Sequence, residues 1–128
     1  MAEAHKHLII RAETLYTPND ANHAKEWLTE LVEKIDMKLL SVVNPNPNAG
    51  YCEVAGNRGL TAIALIETSH IILHAWDEKR PGLVQLDLYS CAPFEVQTVI
   101  DHMQVWSPTK IEYKFLDREN SLIEIETQ

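Results

Sequence analysis

Polar and apolar positions along this chain follow two periods, and the points where one period gives way to the other mark its elements. His7-Leu-Ile-Ile-Arg-Ala12 is short and β-branched, and predicts a first strand that stops before the turn-forming cluster Thr17-Pro18-Asn19-Asp20. Thr17 suits an N-cap and Pro18 a first helical position. Ala24, Trp27, Leu28, Leu31, Val32 and Ile35 then recur on a 3.6-residue period, with Glu26, Glu30, Glu33 and Lys34 on the other faces. Such a helix covers something on one side only.

Lys38-Leu-Leu-Ser-Val-Val43 predicts a second strand, stopped by the Pro- and Asn-rich segment Asn44 to Gly50, which reads as a flexible loop. Two further strand-like runs come next, Thr61-Ala-Ile-Ala-Leu-Ile66 and the run ending His74-Ala-Trp76. In Leu83 to Tyr89, Val84, Leu86 and Leu88 alternate with Gln85, Asp87 and Tyr89, the pattern of a sheet with one covered face. Pro93 opens a second helix with Val96, Val99, Ile100 and Met103 on one side, ended by Ser107-Pro108. Ile111, Tyr113 and Phe115 alternate with charged residues, and Asp117 to Asn120 turns into Leu122-Ile-Glu-Ile-Glu126. The architecture expected is α+β: a two-layer sandwich, a mostly antiparallel sheet with two helices on one face. At 128 residues, with no internal linker, it is expected as a single domain over 1–128.

Charge and cysteine content narrow the partners. The net charge of −8, with no Lys/Arg cluster, argues against nucleic acid and against an anionic membrane. No apolar run reaches the length of a membrane span, and MAEAHKHLII lacks the apolar core of an export signal, so a cytoplasmic location is expected. Cys52 and Cys91 are then reduced thiols.

The chemistry concentrates between Gly59 and Cys91. Ser69, His70, His74, Trp76 and Glu78 lie within ten residues of one another. His70 and His74 flank Ile71-Ile72-Leu73, which favours a strand, and four residues along a strand is about 13 Å, too far for one metal ion. No metal is expected. Ser69 has no glycine beside it, so a hydrolase nucleophile elbow is not present. Cys91 by itself reads as a small buried residue, and Trp76 as an aromatic near a strand end.

The whole stretch, GLTAIALIETSHIILHAWDE followed by GLVQLDLYSC, resembles the prokaryotic S-adenosylmethionine decarboxylase proenzymes. Their corresponding segment reads approximately G-V-S-G, an apolar strand, E-S-H-x-x-x-H-T-W-P-E, then a strand ending D-x-F-T-C-G. The resemblance implies a chain that cuts itself between Thr68 and Ser69 and converts Ser69 into a pyruvoyl group, which forms a Schiff base with the substrate amine. It implies that Thr61 and His74 serve processing, that Cys91 returns a proton to the product, and that Trp76 and Glu78 meet the adenine and the ribose diol. It also implies a homodimer acting on S-adenosylmethionine, for polyamine synthesis.

Departures from the family pattern are Thr68 for its glutamate, Thr61 for its serine, Asp77 for its proline, and Lys79-Arg80-Pro81 as an apparent two-residue insertion. Strand alternation would point Glu67 away from the face of residue 68. Two alternatives stay open from these residues: a pyruvoyl decarboxylase of another amino acid, such as arginine or ornithine, and an uncleaved nucleoside-binding or regulatory relative.

Overall fold

The computed structural model describes residues 4–126. In chain order it forms β1 (Lys6–Thr14), α1 (Ala21–Lys34), β2 (Asn48–Cys52), β3 (Gly59–Ile66), β4 (Ser69–Trp76) and β5 (Gly82–Ser90). Then come α2 (Val96–His102), a 3-10 turn (Met103–Trp106), β6 (Pro108–Asp117) and β7 (Ile123–Ile125). The strands make one antiparallel sheet in the order β2-β3-β4-β5-β1-β6-β7, with β1 inserted between β5 and β6. The period of two decides what each face carries. Leu8, Ile10 and Ala12, Ile71, Leu73 and Ala75, and Val84, Leu86 and Leu88 are buried, in one core with Leu28, Leu31, Val99 and Met103 of the helical layer. The alternate residues, among them His7, Thr61, His70, His74, Trp76 and Asp87, lie on the open face. This is the two-layer α+β sandwich that the pattern predicts, with every strand pairing antiparallel.

Four local expectations fail, the first three for a physical reason. The first helix begins three residues later than predicted, at Ala21, because Asp20 is its N-cap and accepts from Asn22 N at 3.0 Å. Thr17 instead bonds Thr14 Oγ1 at 2.9 Å and packs against Gly82, where any Cβ would collide with it. Residues 38–43 form no strand, only a bridge from Leu39 to Ile66. Backbone bonds from Leu40 N to the Leu65 carbonyl and from Glu67 N to the Lys38 carbonyl flank that bridge, and the Asn46 side chain ends the pairing there: its amide donates to the carbonyls of Leu40 and Leu65 and accepts from Leu65 N. The loop that Asn44 opens is consequently ordered by Asn46, and its last residues, from Asn48, join β2. The second helix starts at Val96, not at Pro93.

Where α1 meets α2 and the 3-10 turn, the buried Trp27 is sandwiched between His102 and Trp106, with ring centroids 4.5 and 4.4 Å away. His102 Nε2 donates to the Trp27 carbonyl at 2.9 Å, while Nδ1 accepts from the Lys34 ammonium at 3.0 Å. That pattern needs a neutral imidazole. Burial lowers the His102 pKa, the Trp27 carbonyl opposes the shift, and Lys34 adds to it. An unfolded histidine titrates near 6.5, so below that pH the unfolded chain binds the extra proton first and the fold loses stability. The stability is complete above about 6.5 and lost as pH falls through the depressed folded value. Urea midpoints measured across this acidic range should fall more steeply for the wild type than for His102→Gln, which keeps an amide donor but cannot titrate.

Candidate active site

Ile66 and Ser69 are paired residues at the ends of β3 and β4, so Glu67 and Thr68 form the two-residue turn between them. Ser69 takes a φ of 146°, a conformation that side-chain-bearing residues rarely adopt. Such backbone costs on the order of 1–3 kcal/mol and persists only where the surroundings hold it. Here they do: the Thr68 carbonyl accepts from the backbone N–H of Cys91 at 3.0 Å. Thr68 Oγ1 donates to Met37 Sδ at 3.3 Å, a sulfur that also receives the buried Ser90 hydroxyl at 3.5 Å. Thr68 is therefore turned inward, while Glu67 is exposed and tied by its N–H to the Lys38 carbonyl. The separation of these two side chains comes from the turn.

Thr61 and His74 are directly paired across β3 and β4, and Thr61 Oγ1 lies 3.2 Å from His74 Nδ1. His74 stacks on Trp76, 5.9 Å between centroids, and Trp76 Nε1 donates to Asn57 Oδ1. The Glu78 carboxylate accepts from Arg58 N at 2.9 Å and Gly56 N at 3.0 Å, one bond to each oxygen. These backbone donors, Arg58 first, hold its pKa below the usual carboxylate range. Each oxygen keeps a second lone pair for a ligand. Trp76 and Glu78 line a cavity of about 350 Å³ together with Arg11, Glu13, Lys79 and Leu83. That volume falls in the range of small-molecule sites, roughly 300–1,000 Å³.

The seven residues thus separate into two groups. Thr68, Ser69 and Cys91 sit at one end of the central strands. Thr61, His74, Trp76 and Glu78 sit at the other. Ser69 and His74 are five residues apart on β4, which at the rise of a strand is about 17 Å. Among the described residues, no cluster of three or more His, Cys, Asp and Glu is placed to hold a metal ion, and no helix is long and apolar enough to cross a membrane.

Of one further group on the open face, only His70 was singled out from the sequence. Asp87 Oδ1 accepts from His7 Nε2 at 2.8 Å and from His70 Nε2 at 3.1 Å, bringing β1, β4 and β5 together. Arg118 Nη1 reaches His7 Nδ1 at 3.3 Å, and its guanidinium lies 4.5 Å above the Tyr89 ring. His5 Nδ1 meets the Tyr89 hydroxyl at 2.8 Å. Strand parity was the available signal: His7, His70, Asp87 and Tyr89 all alternate with residues of the apolar pattern, so all share one face.

The fold and the junction at Thr68-Ser69 define an α+β protein with a constrained serine peptide at a hairpin turn. Residues 6–119 match the S-adenosylmethionine decarboxylase family, and the chain belongs to it. The adenosylmethionine decarboxylase of Aquifex aeolicus has the same fold, with a TM-score of 0.63 over 98% of each chain at 21% identity. The S-adenosylmethionine decarboxylase proenzyme of Picrophilus torridus is 34% identical over 68 residues, 52% of this chain. The match spans about half of that relative's length, 51%.

Proposed function

We propose that this chain is a self-processing, pyruvoyl-dependent decarboxylase of S-adenosylmethionine, acting as a homodimer in the cytoplasm to supply the aminopropyl donor for spermidine synthesis. The observation that carries the reading is the Cys91 N–H on the carbonyl of the strained Thr68-Ser69 peptide. Attack by Ser69 Oγ on the Thr68 carbonyl carbon puts negative charge on the oxygen this N–H already holds. The amide becomes an ester, and the backbone strain at Ser69 is released as the bond to its nitrogen breaks. Loss of the Ser69 Cα proton then expels the Thr68 carboxylate, and hydrolysis releases ammonia to leave the new N-terminus.

Residue types at this end fit the pyruvoyl group: a free β-hydroxyl on a constrained turn is what its formation requires. When formed, that group takes up the electron pair left by departing CO₂. The Cys91 thiol is the proposed proton source for the product. Thr61 and His74, bonded to each other, supply a hydroxyl and an imidazole for proton transfer during processing. Trp76 offers a flat face to the purine, and Glu78, held ionised, two acceptor oxygens to the ribose diol.

Because about 17 Å of strand separates Ser69 from His74, one chain cannot bring both to a single bond. A second copy packed open face to open face, with strand directions opposed, supplies the missing half. This supports the homodimer.

Intact mass under denaturing conditions tests the proposal. Freshly purified protein should resolve into fragments 1–68 and 69–128, the second with a ketone-reactive, blocked N-terminus and labelled CO₂ release from S-adenosylmethionine. Ser69→Ala should stay whole and inactive. A wild type that remains one species through prolonged incubation refutes self-processing, and fully cleaved protein without CO₂ release refutes the substrate.

A further inference from the structure

We propose that His70, anchored by Asp87, is the positioning residue of the strand end created by self-cleavage. This role rests on the self-processing reading and belongs to the chain once it has been cut. In the uncut chain, residue 69 is held from both sides, by the turn at Glu67 and Thr68 and by β4. After the cut the turn belongs to another fragment, and residue 69 joins the fold covalently only through His70. Chain ends fray unless something ties them down, and Ile66, the ladder partner of residue 69 on β3, then lies near a free end as well.

The tie is the carboxylate at the centre of the open-face group. His70 Nε2 donates to Asp87 Oδ1 at 3.1 Å, so the first side chain after the cut is fastened to β5. The same oxygen accepts from His7 Nε2 at 2.8 Å, which fastens β5 to β1. Arginine can only donate, so the contact of Arg118 with His7 Nδ1 makes Nδ1 the acceptor and leaves the proton on Nε2, directed at Asp87. Tyr89 closes the group from the side, its ring 6.0 Å from His70 and under the Arg118 guanidinium. His70 and Asp87 are only about one-third exposed, at 33% and 39% of their side chains. Three strands thus converge on the carboxylate that holds the imidazole next to the reacting position, with the residue after β6 packed on His7 and Tyr89, and none of these side chains lines the cavity of Trp76 and Glu78.

A misplacement of about 1 Å at a reacting centre can cost on the order of a hundredfold in rate. The experiment compares His70→Leu, His70→Gln, Asp87→Asn and the double variant His70→Leu/Asp87→Asn in the full chain. Cleavage is monitored by intact mass, ketone content by hydrazine labelling, and kcat and KM are expressed per ketone. His70→Leu is expected to cleave at close to the wild-type rate, yet to lose about tenfold or more of kcat per ketone, with KM changed by less than about threefold. Glutamine, whose amide N–H can reach Asp87, should recover most of that loss. Asp87→Asn should lower kcat in the same direction, and the double variant should be no worse than His70→Leu, since the two act as a unit.

A kcat per ketone within about threefold of wild type in His70→Leu overturns the inference. So does a glutamine variant as poor as the leucine one, or a loss confined to cleavage. If His70→Leu does not fold, the pair His70→Gln and Asp87→Asn decides by the same criteria. A wild type that never cleaves refutes the proposed function itself, whereas a cleaved, active wild type with an indifferent residue 70 refutes only the positioning role.

Discussion

Chains carrying Ser69→Ala and chains carrying His74→Ala, each uncleaved and inactive alone, should regain about a quarter of the wild-type number of working sites when co-expressed. The separation of the two groups on the sheet is the reason. A site that needs Ser69 from one copy and His74 from another is complete once in each mixed dimer: the serine of the His74→Ala chain meets the histidine of its partner. The opposite site of that dimer has neither. Random pairing makes about half the dimers mixed, so half of the Ser69-bearing chains should be cut and a quarter of all sites should turn over. Intact mass counts the first and labelled CO₂ release the second. A site contained within one chain would give no recovery at any ratio, and the same result would remove the main support for the homodimer.

The parts of this architecture that were legible beforehand are those where one period runs uninterrupted. Trp27, Leu28 and Leu31 announced α1, and Val84, Leu86 and Leu88 announced β5, because burial on one side imposes the period directly. The failures lie where a side chain does the work of the backbone. Nothing in Lys38-Leu-Leu-Ser-Val-Val43 says that the amide of Asn46 will take the Leu65 N–H and stop the pairing at Leu40, whose own N–H still reaches the Leu65 carbonyl. Thr17 reads as a cap from composition, but the space left by Gly82, far along the chain, gives it another neighbour and leaves the cap to Asp20. For the candidate site the motif named all seven residues, and the sheet register then divided them. A one-dimensional spacing of five residues between Ser69 and His74 looks like proximity. On a strand it is the length of the element.

Two substitutions at one position separate what the Cys91 backbone does from what its thiol does. Cys91→Ala keeps the N–H that reaches the Thr68 carbonyl at 3.0 Å, so self-cleavage should proceed at nearly the wild-type rate while turnover, deprived of the thiol proton, falls. Cys91→Pro removes the N–H itself. Loss of one preorganised donor to a developing oxyanion costs about 10²–10³ in rate, so this variant should remain largely uncut over times in which the wild type is complete. The Cys91 carbonyl, which accepts from Ala4 N, is retained in both, and circular dichroism of the two variants checks that the sheet survives. If Cys91→Pro cleaves as fast as Cys91→Ala, the hydrogen bond only holds the turn in shape, and the strain at Ser69 is left as the single ground-state feature driving attack. If Cys91→Pro stays whole and folded, the fold itself supplies the oxyanion donor, built from the register that sets Ser69 opposite Ser90 and so delivers the next amide to the peptide that breaks.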